Sequence, residues 1–157
     1  MTFQPSYTLL PVTHISQRAS GECLAACAAM ALNYIGHKVD YTRLVQLLRI
    51  RPGYGTPFPV IQSLGNSSIR VVYGQGNLQE IYHYLSQDKP CIVPVQTHEL
   101  PYWNNVSVGH AVVVVGVDSE NVFLNDPEFP TAPIQVTHGD FGLAWFEYGE
   151  LFAVLSL

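Results

Sequence analysis

The chain has 157 residues, 48% of them hydrophobic and only 12% charged, with a formal net charge of −5. That mixture excludes a disordered tail and specifies a packed globule, long enough for one domain that buries about two-thirds of its unfolded surface. The seven Lys and Arg form no basic patch, which argues against a nucleic-acid partner, and no apolar run approaches the roughly 18–20 residues needed to cross a bilayer.

The opening Met1-Thr2-Phe3-Gln4-Pro5 lacks the basic start and apolar core of a signal peptide. There are three cysteines, an odd number, and the Cys23/Cys27 spacing fits no common disulfide or zinc pattern. Free thiols in a reducing cytoplasm are expected, with no metal and no other cofactor.

Residues 6–12 read as a short strand or extended arm closed by Pro11. A helix is predicted over 21–35, with Ser20 as N-cap and Gly36 as its stop. Its alanine-rich body suits a helix buried on most sides, because small side chains let neighbours approach closely. A second helix over 40–50 opens on Asp40 and carries Leu44, Leu47 and Leu48 on one face, and Arg51-Pro52-Gly53-Tyr54-Gly55 ends it.

From about residue 69 the pattern changes. Residues 69–73 read as a strand, and Asn77 caps a helix bearing Leu78, Ile81, Tyr82 and Leu85 at helical spacing. Residues 91–95 form the next strand, followed by a Pro/Trp/Asn-rich loop through Val106. Ala111 to Val117 is a continuous apolar run, mostly β-branched, the mark of a strand buried on both faces. A hairpin over 118–121 leads to a strand at 122–124; a short segment near 134–136, a turn or helix near 139–146 and a strand at 151–156 complete the chain. The fold class expected is therefore α+β over a single domain, 1–157. Its helical half (about 13–65) would pack on a mainly antiparallel sheet (about 69–157), with a cleft between them.

Chemistry concentrates at four positions. Cys23 precedes the uncharged Leu24-Ala25-Ala26-Cys27-Ala28-Ala29-Met30 run, at the mouth of a buried helix. A thiol attacks a carbonyl only as thiolate, and the positive end of a helix dipole together with a nearby imidazolium favours that form. The bland reading of Cys23 is a buried structural cysteine, which is the reading adopted for Cys27 and Cys91. His110, after Gly109 and before the apolar strand, can face the cleft while the strand anchors it. His98 could also reach the cleft along the 97–108 loop, whereas His14, His37, His83 and His138 have weaker cases.

Asp126 follows the strand that returns beside His110, so its carboxylate can hold the imidazole Nδ1–H and fix its tautomer. Asn125 could do this instead, but adjacent strand residues face opposite ways, so one of the two points elsewhere. Gln17, six residues before Cys23, can donate to a developing oxyanion beside the Cys23 N–H. The Tyr102-Trp103 loop and the Gly/Pro-rich 52–59 segment could wall a cleft, loops of this kind being equally often structural.

Gln17-x5-Cys23, Cys23-x3-Cys27 with Ala28-Ala29-Met30, Asn33-Tyr34-Ile35-Gly36, Gly109-His110-Ala111-Val112-Val113-Val114 and Asn125-Asp126-Pro127 together resemble the C39 cysteine peptidases over about 13–128. This is a papain-like family best known as the N-terminal processing domain of bacteriocin exporters. The resemblance implies a papain-like fold and a peptide or protein substrate. It also implies Cys23 as nucleophile, His110 as general base, Asp126 as orienting residue and Gln17 in the oxyanion hole.

The chain departs from the pattern in two ways. Leu24 stands where the family commonly has glycine, and neither a GxxxxGK[ST] loop nor a spanning helix is present. A free-standing domain is the expectation, and cleavage after Gly-Gly is implied only through the exporter relatives. Two other readings use the same residues: a non-catalytic peptide-docking module, and an amidase or acyltransferase.

Overall fold

Alanine decides how the first helix packs. In the computed structural model, which describes Phe3 and residues 5–157, helix α1 (Cys23–Tyr34) buries every residue from Leu24 to Leu32. Ala25, Ala26, Ala28, Ala29 and Ala31 lie among them at 9% exposure or less. With so little side chain between them, the helix lies directly on the sheet. The helix ends as expected around Gly36, in the left-handed region at φ +82. There His37 N–H donates to Leu32 O and Gly36 N–H to Asn33 O, a Schellman closure that satisfies two otherwise free carbonyls.

The helix start differs from the expected one. Glu22, not Ser20, is the N-cap residue, and no side chain caps the helix. Ser20 and Gly21 are held in a turn by the 51–55 loop, where Gly53 N–H donates to Ser20 O at 3.3 Å. Gly21 and Gly55 both sit at positive φ and pack backbone to backbone, so a Cβ on Gly21 would meet Gly55 N at 2.7 Å. This tertiary contact outweighs the local capping preference of serine.

Among the described residues, seven strands form one antiparallel sheet: β1 (Thr8–Leu9), β2 (Arg70–Gln75), β3 (Cys91–Gln96), β4 (Gly109–Val117), β5 (Asn121–Asn125), β6 (Ile134–Thr137) and β7 (Leu151–Ser156). Their order is β2-β7-β3-β4-β5-β6, with β1 paired to the far end of β4. Helices α2 (Tyr41–Leu47), α3 (Leu78–Ser86) and α4 (His138–Phe146) complete the regular structure. Asp40 and Asn77 cap α2 and α3 as predicted, accepting from Arg43 N–H and Glu80 N–H. Short 3₁₀ turns at 58–64, 97–99 and 101–103 had no periodic signature in the sequence.

The sheet is covered on both faces, which explains the unbroken apolar run of β4. Ala111, Val113 and Val115 join the core under α1 and α2; Val112, Val114 and Val117 join the core shared with α3 and α4. The helical half and the mainly antiparallel sheet half fall as anticipated, and α3 and α4, expected within the sheet half, close the face opposite α1. Fully burying one such Val contributes roughly 1.5–3 kcal/mol before chain entropy is counted.

Helix α1 tolerates no added bulk in this arrangement. Ala28→Leu is expected to lower stability by about 1–3 kcal/mol through overpacking, measured by thermal or urea unfolding. An unchanged or raised stability would mean that α1 does not rest on the sheet this closely.

Candidate active site

Among the described residues, the buried polar or charged side chains are Thr97, His110, Asn125 and Asp126. Three of these four belong to one locus. The β4–β5 hairpin creates it: Val113 pairs with Asn125, so the residue after β5 returns to the end of the hairpin where β4 begins with Gly109 and His110.

Asp126 is 0% exposed, and every bond its carboxylate needs comes from protein. Oδ1 accepts from His110 Nε2 at 2.7 Å and from Glu128 N–H at 2.9 Å. Oδ2 accepts from Tyr102 Oη at 2.6 Å and Trp103 Nε1 at 3.0 Å. Burial alone would raise the Asp126 pKa, but His110, Tyr102 and the Glu128 N–H hold it below the usual carboxylate range. A buried charge is stable only with such a full set of partners.

The imidazole of His110 is correspondingly polarised. Burial pulls its pKa down, yet the bond to Asp126 and the proximity of Cys23 outweigh this and bring it to about 9. The ring nitrogen bound to Asp126 is Nε2, whereas the sequence reading had assigned Nδ1; Nδ1 is therefore the nitrogen left for other partners. Trp103 packs edge-on against the ring at 4.9 Å between centroids and shields the His110–Asp126 bond from water.

Cys23 is the first residue of α1 and is half-buried. The first intrahelical acceptor, Glu22 O, is taken by Ala26 N–H. The N–H of Cys23 is thus free of the helix ladder and stands at the positive end of its dipole. The neighbouring Glu22 carboxylate is drawn aside by Tyr41 Oη at 2.9 Å. Cys27, one turn deeper, is fully buried, and burial with the charges at Cys23 and Asp126 pushes its thiol pKa up. Burial does the same for Cys91. Both are core, as expected.

A groove of about 650 Å³ opens over Cys23 and His110. Arg51, Tyr54, Pro57 and Phe58 form one wall; Pro94, Ala111, Tyr148 and Leu151 form the other. The Gly/Pro-rich segment therefore walls the cleft as anticipated. Leu24, beside the thiol, is 3% exposed and lines the floor. A Cβ at Gly109 would meet the hydroxyl at the far end of the Tyr148 side chain.

Asp126 meets His110, while Asn125 faces away and donates from Nδ2 to Val12 O at 3.0 Å. Tyr102 and Trp103 do not line the groove; they sit behind the imidazole on Asp126. His98 is exposed beside Glu99 and does not reach the groove. His14 had no strong case in the sequence, yet its Nε2 contacts Asp126 O at 2.8 Å. Gln17 N–H donates to Pro127 O at 3.0 Å, which pins the loop against the Asp126 turn. Its side-chain Nε2 donates to Ala19 O at 3.2 Å, and its Oε1 is buried without a partner.

The titration of this locus is directly measurable. His110 is raised above its ordinary value of 6.5, so the stability from its pairing is complete below about 6.5 and is lost as pH climbs through about 9. By NMR, His110 is expected to titrate near 9, and Asp126→Asn is expected to move that midpoint down by roughly one unit or more; a midpoint unchanged in Asp126→Asn would contradict the pairing. Asp126 is shifted the other way, so its contribution is lost as pH falls. Tyr102→Phe removes one donor from a buried carboxylate, which is expected to cost about 1–2 kcal/mol and to move acid unfolding to higher pH.

The model of the Peptidase_C39 like family matches residues 9–151. None of the curated proteins matches the chain. Among solved structures, a candidate C39-like peptidase from Bacillus anthracis superposes with a TM-score of 0.77 at 20% identity, covering 97% of this chain and 98% of that one. The peptidase domain of Streptococcus ComA, a bifunctional ABC transporter of a quorum-sensing pathway, gives 0.73 at 16% identity, with 92% and 98% covered. A double glycine motif protease from an AMS/PCAT transporter, solved with a leader peptide, gives 0.69 at 17% identity, with 98% of each chain covered. At these identities the likeness shows the fold, which is α+β and papain-like as anticipated. The family match spans nearly the whole chain, and the protein belongs to the Peptidase_C39 like family.

Proposed function

We propose that the chain acts as one domain and is a cysteine peptidase that hydrolyses a peptide or isopeptide bond. The observation that carries this reading is the imidazole of His110, backed by a fully buried carboxylate and sharing the floor of an open groove with the Cys23 thiol. A histidine at a sheet end rarely has an enclosed acid behind it and a free cysteine in front.

In the proposed reaction the Cys23 thiolate attacks the carbonyl carbon. The C–S bond forms as the carbonyl electron pair moves onto oxygen. That oxyanion is held by the Cys23 N–H and by Gln17, whose amide carries a second hydrogen beyond the one given to Ala19. Collapse breaks the C–N bond, and protonated His110 gives its proton to the leaving amine. His110 then takes a proton from water, which attacks the acyl-enzyme and releases Cys23. Asp126 keeps its charge throughout and orients the ring.

The relative that holds a leader peptide suggests cleavage after Gly-Gly. The free thiols of Cys23, Cys27 and Cys91 suit a reducing, cytoplasmic setting.

The test is turnover of double-glycine peptides. Cys23→Ala is expected to abolish hydrolysis, and Gln17→Ala to reduce kcat on the order of 100-fold with a smaller change in KM. Full turnover by Cys23→Ala would end this reading.

A further inference from the structure

Besides the reacting pair, the groove carries the hydroxyls of Tyr54, Thr56 and Tyr148 and one cation. Among the described residues Arg51 is the only Lys or Arg along it, and no Asp or Glu lines it. Among the described residues Arg51 forms no ion pair; the salt bridges there join His98 to Glu99 and His110 to Asp126. None of the seven Lys and Arg has an ion-pair partner among the described residues, so what distinguishes Arg51 is its place on the groove.

Its position is also built. Arg51 and Gly55 pair as an isolated bridge: Arg51 N–H donates to Gly55 O at 3.1 Å, while Gly55 N–H and Tyr54 N–H return to Arg51 O at 3.0 Å each. The turn is then clamped to the start of α1 by the Gly21–Gly55 contact and by Gly53 N–H on Ser20 O. The guanidinium lies 5.5 Å from the exposed Tyr54 ring. The Arg51 backbone is thus held against the start of α1, while its exposed side chain lines the same groove as Cys23.

We propose that Arg51 is the recognition point for a substrate carboxylate, so that the groove prefers peptides bearing an acidic group close to the cleaved bond. The inference rests on the peptidase reading above and adds a substrate class to it. A guanidinium fork matches a carboxylate with two parallel hydrogen bonds. The carboxylate has two sources, an internal Glu or Asp side chain or a free C-terminus just beyond the scissile bond.

Two arms of one experiment separate the sources. Quenched-fluorescent peptides built around Gly-Gly carry Glu or Gln at each flanking position in turn; a second set ends one to three residues beyond Gly-Gly as either the free acid or the amide. Native protein, Arg51→Gln and Arg51→Lys are compared at low and high salt, with thermal melting to confirm that each variant is folded. The native protein is expected to favour the acidic partner of one pair roughly fivefold in kcat/KM at low salt, the upper range for an exposed ion pair. The acid-to-neutral ratio is expected to fall with salt, to collapse toward unity in Arg51→Gln, and to be intermediate in Arg51→Lys, which keeps the charge and loses the fork. No preference in either arm, or a preference that survives Arg51→Gln, overturns the proposal.

Anisotropy binding of the same labelled peptides to Cys23→Ala keeps the two readings apart. Arg51-dependent binding without turnover by the native protein sinks the peptidase reading and sustains the carboxylate site. Absence of Arg51-dependent binding, whatever the turnover, sinks the carboxylate site.

Discussion

The structure around the groove depends on one buried carboxylate. Asp126 is sealed from water and keeps its charge because four protein donors converge on its two oxygens. Two come from aromatic side chains, one from the peptide N–H of Glu128, and one from the imidazole it orients. Without any of these, a lone pair would be left unsatisfied in a low-dielectric interior, and the group would tend to neutralise instead. With all of them, the charge is fixed in place and its field falls on His110.

Much of the fold serves to hold that residue where it is. The N-terminal arm runs along the hairpin end, with Leu10 N–H on Val115 O, Asn125 on Val12 O, His14 on the carbonyl of Asp126, and Gln17 N–H on Pro127 O. The arm that leads into α1 therefore also braces the turn after β5. Cys23 and Asp126 are positioned by one continuous set of contacts, although more than a hundred residues separate them. Helix α1 adds rigidity of another kind, since its alanine face leaves no slack against β4.

Features set by local chemistry were legible in the sequence. Asp40 and Asn77 act within three residues of themselves, Gly36 closes its own helix, and the burial of both faces of β4 follows from an unbroken apolar run. The opposition of Asn125 and Asp126 follows from the period of a strand. The misreadings all involve partners distant in the chain. Ser20 loses its capping role to the 51–55 loop, and the sequence leaves Tyr102 and Trp103 open between a groove wall and a structural loop because nothing local shows that they reach 23 or 24 residues ahead to one carboxylate. A Tyr-Trp pair shortly before a Gly-His strand start was the available signal, since each aromatic carries one donor that must find an acceptor when buried. The choice of Nε2 over Nδ1 depends on the side from which the acid approaches, which the order of residues does not encode.

The central claim is that Cys23 is activated by an imidazole which Asp126 holds in place. Its most direct test is the alkylation rate of each thiol by iodoacetamide at neutral pH, followed by peptide mass spectrometry, in the native chain and in His110→Ala. The account predicts rapid modification of Cys23, slowed roughly tenfold or more when the imidazole is removed, with Cys27 and Cys91 unmodified while the protein is folded. A Cys23 that reacts at the same slow rate with or without His110 would contradict it.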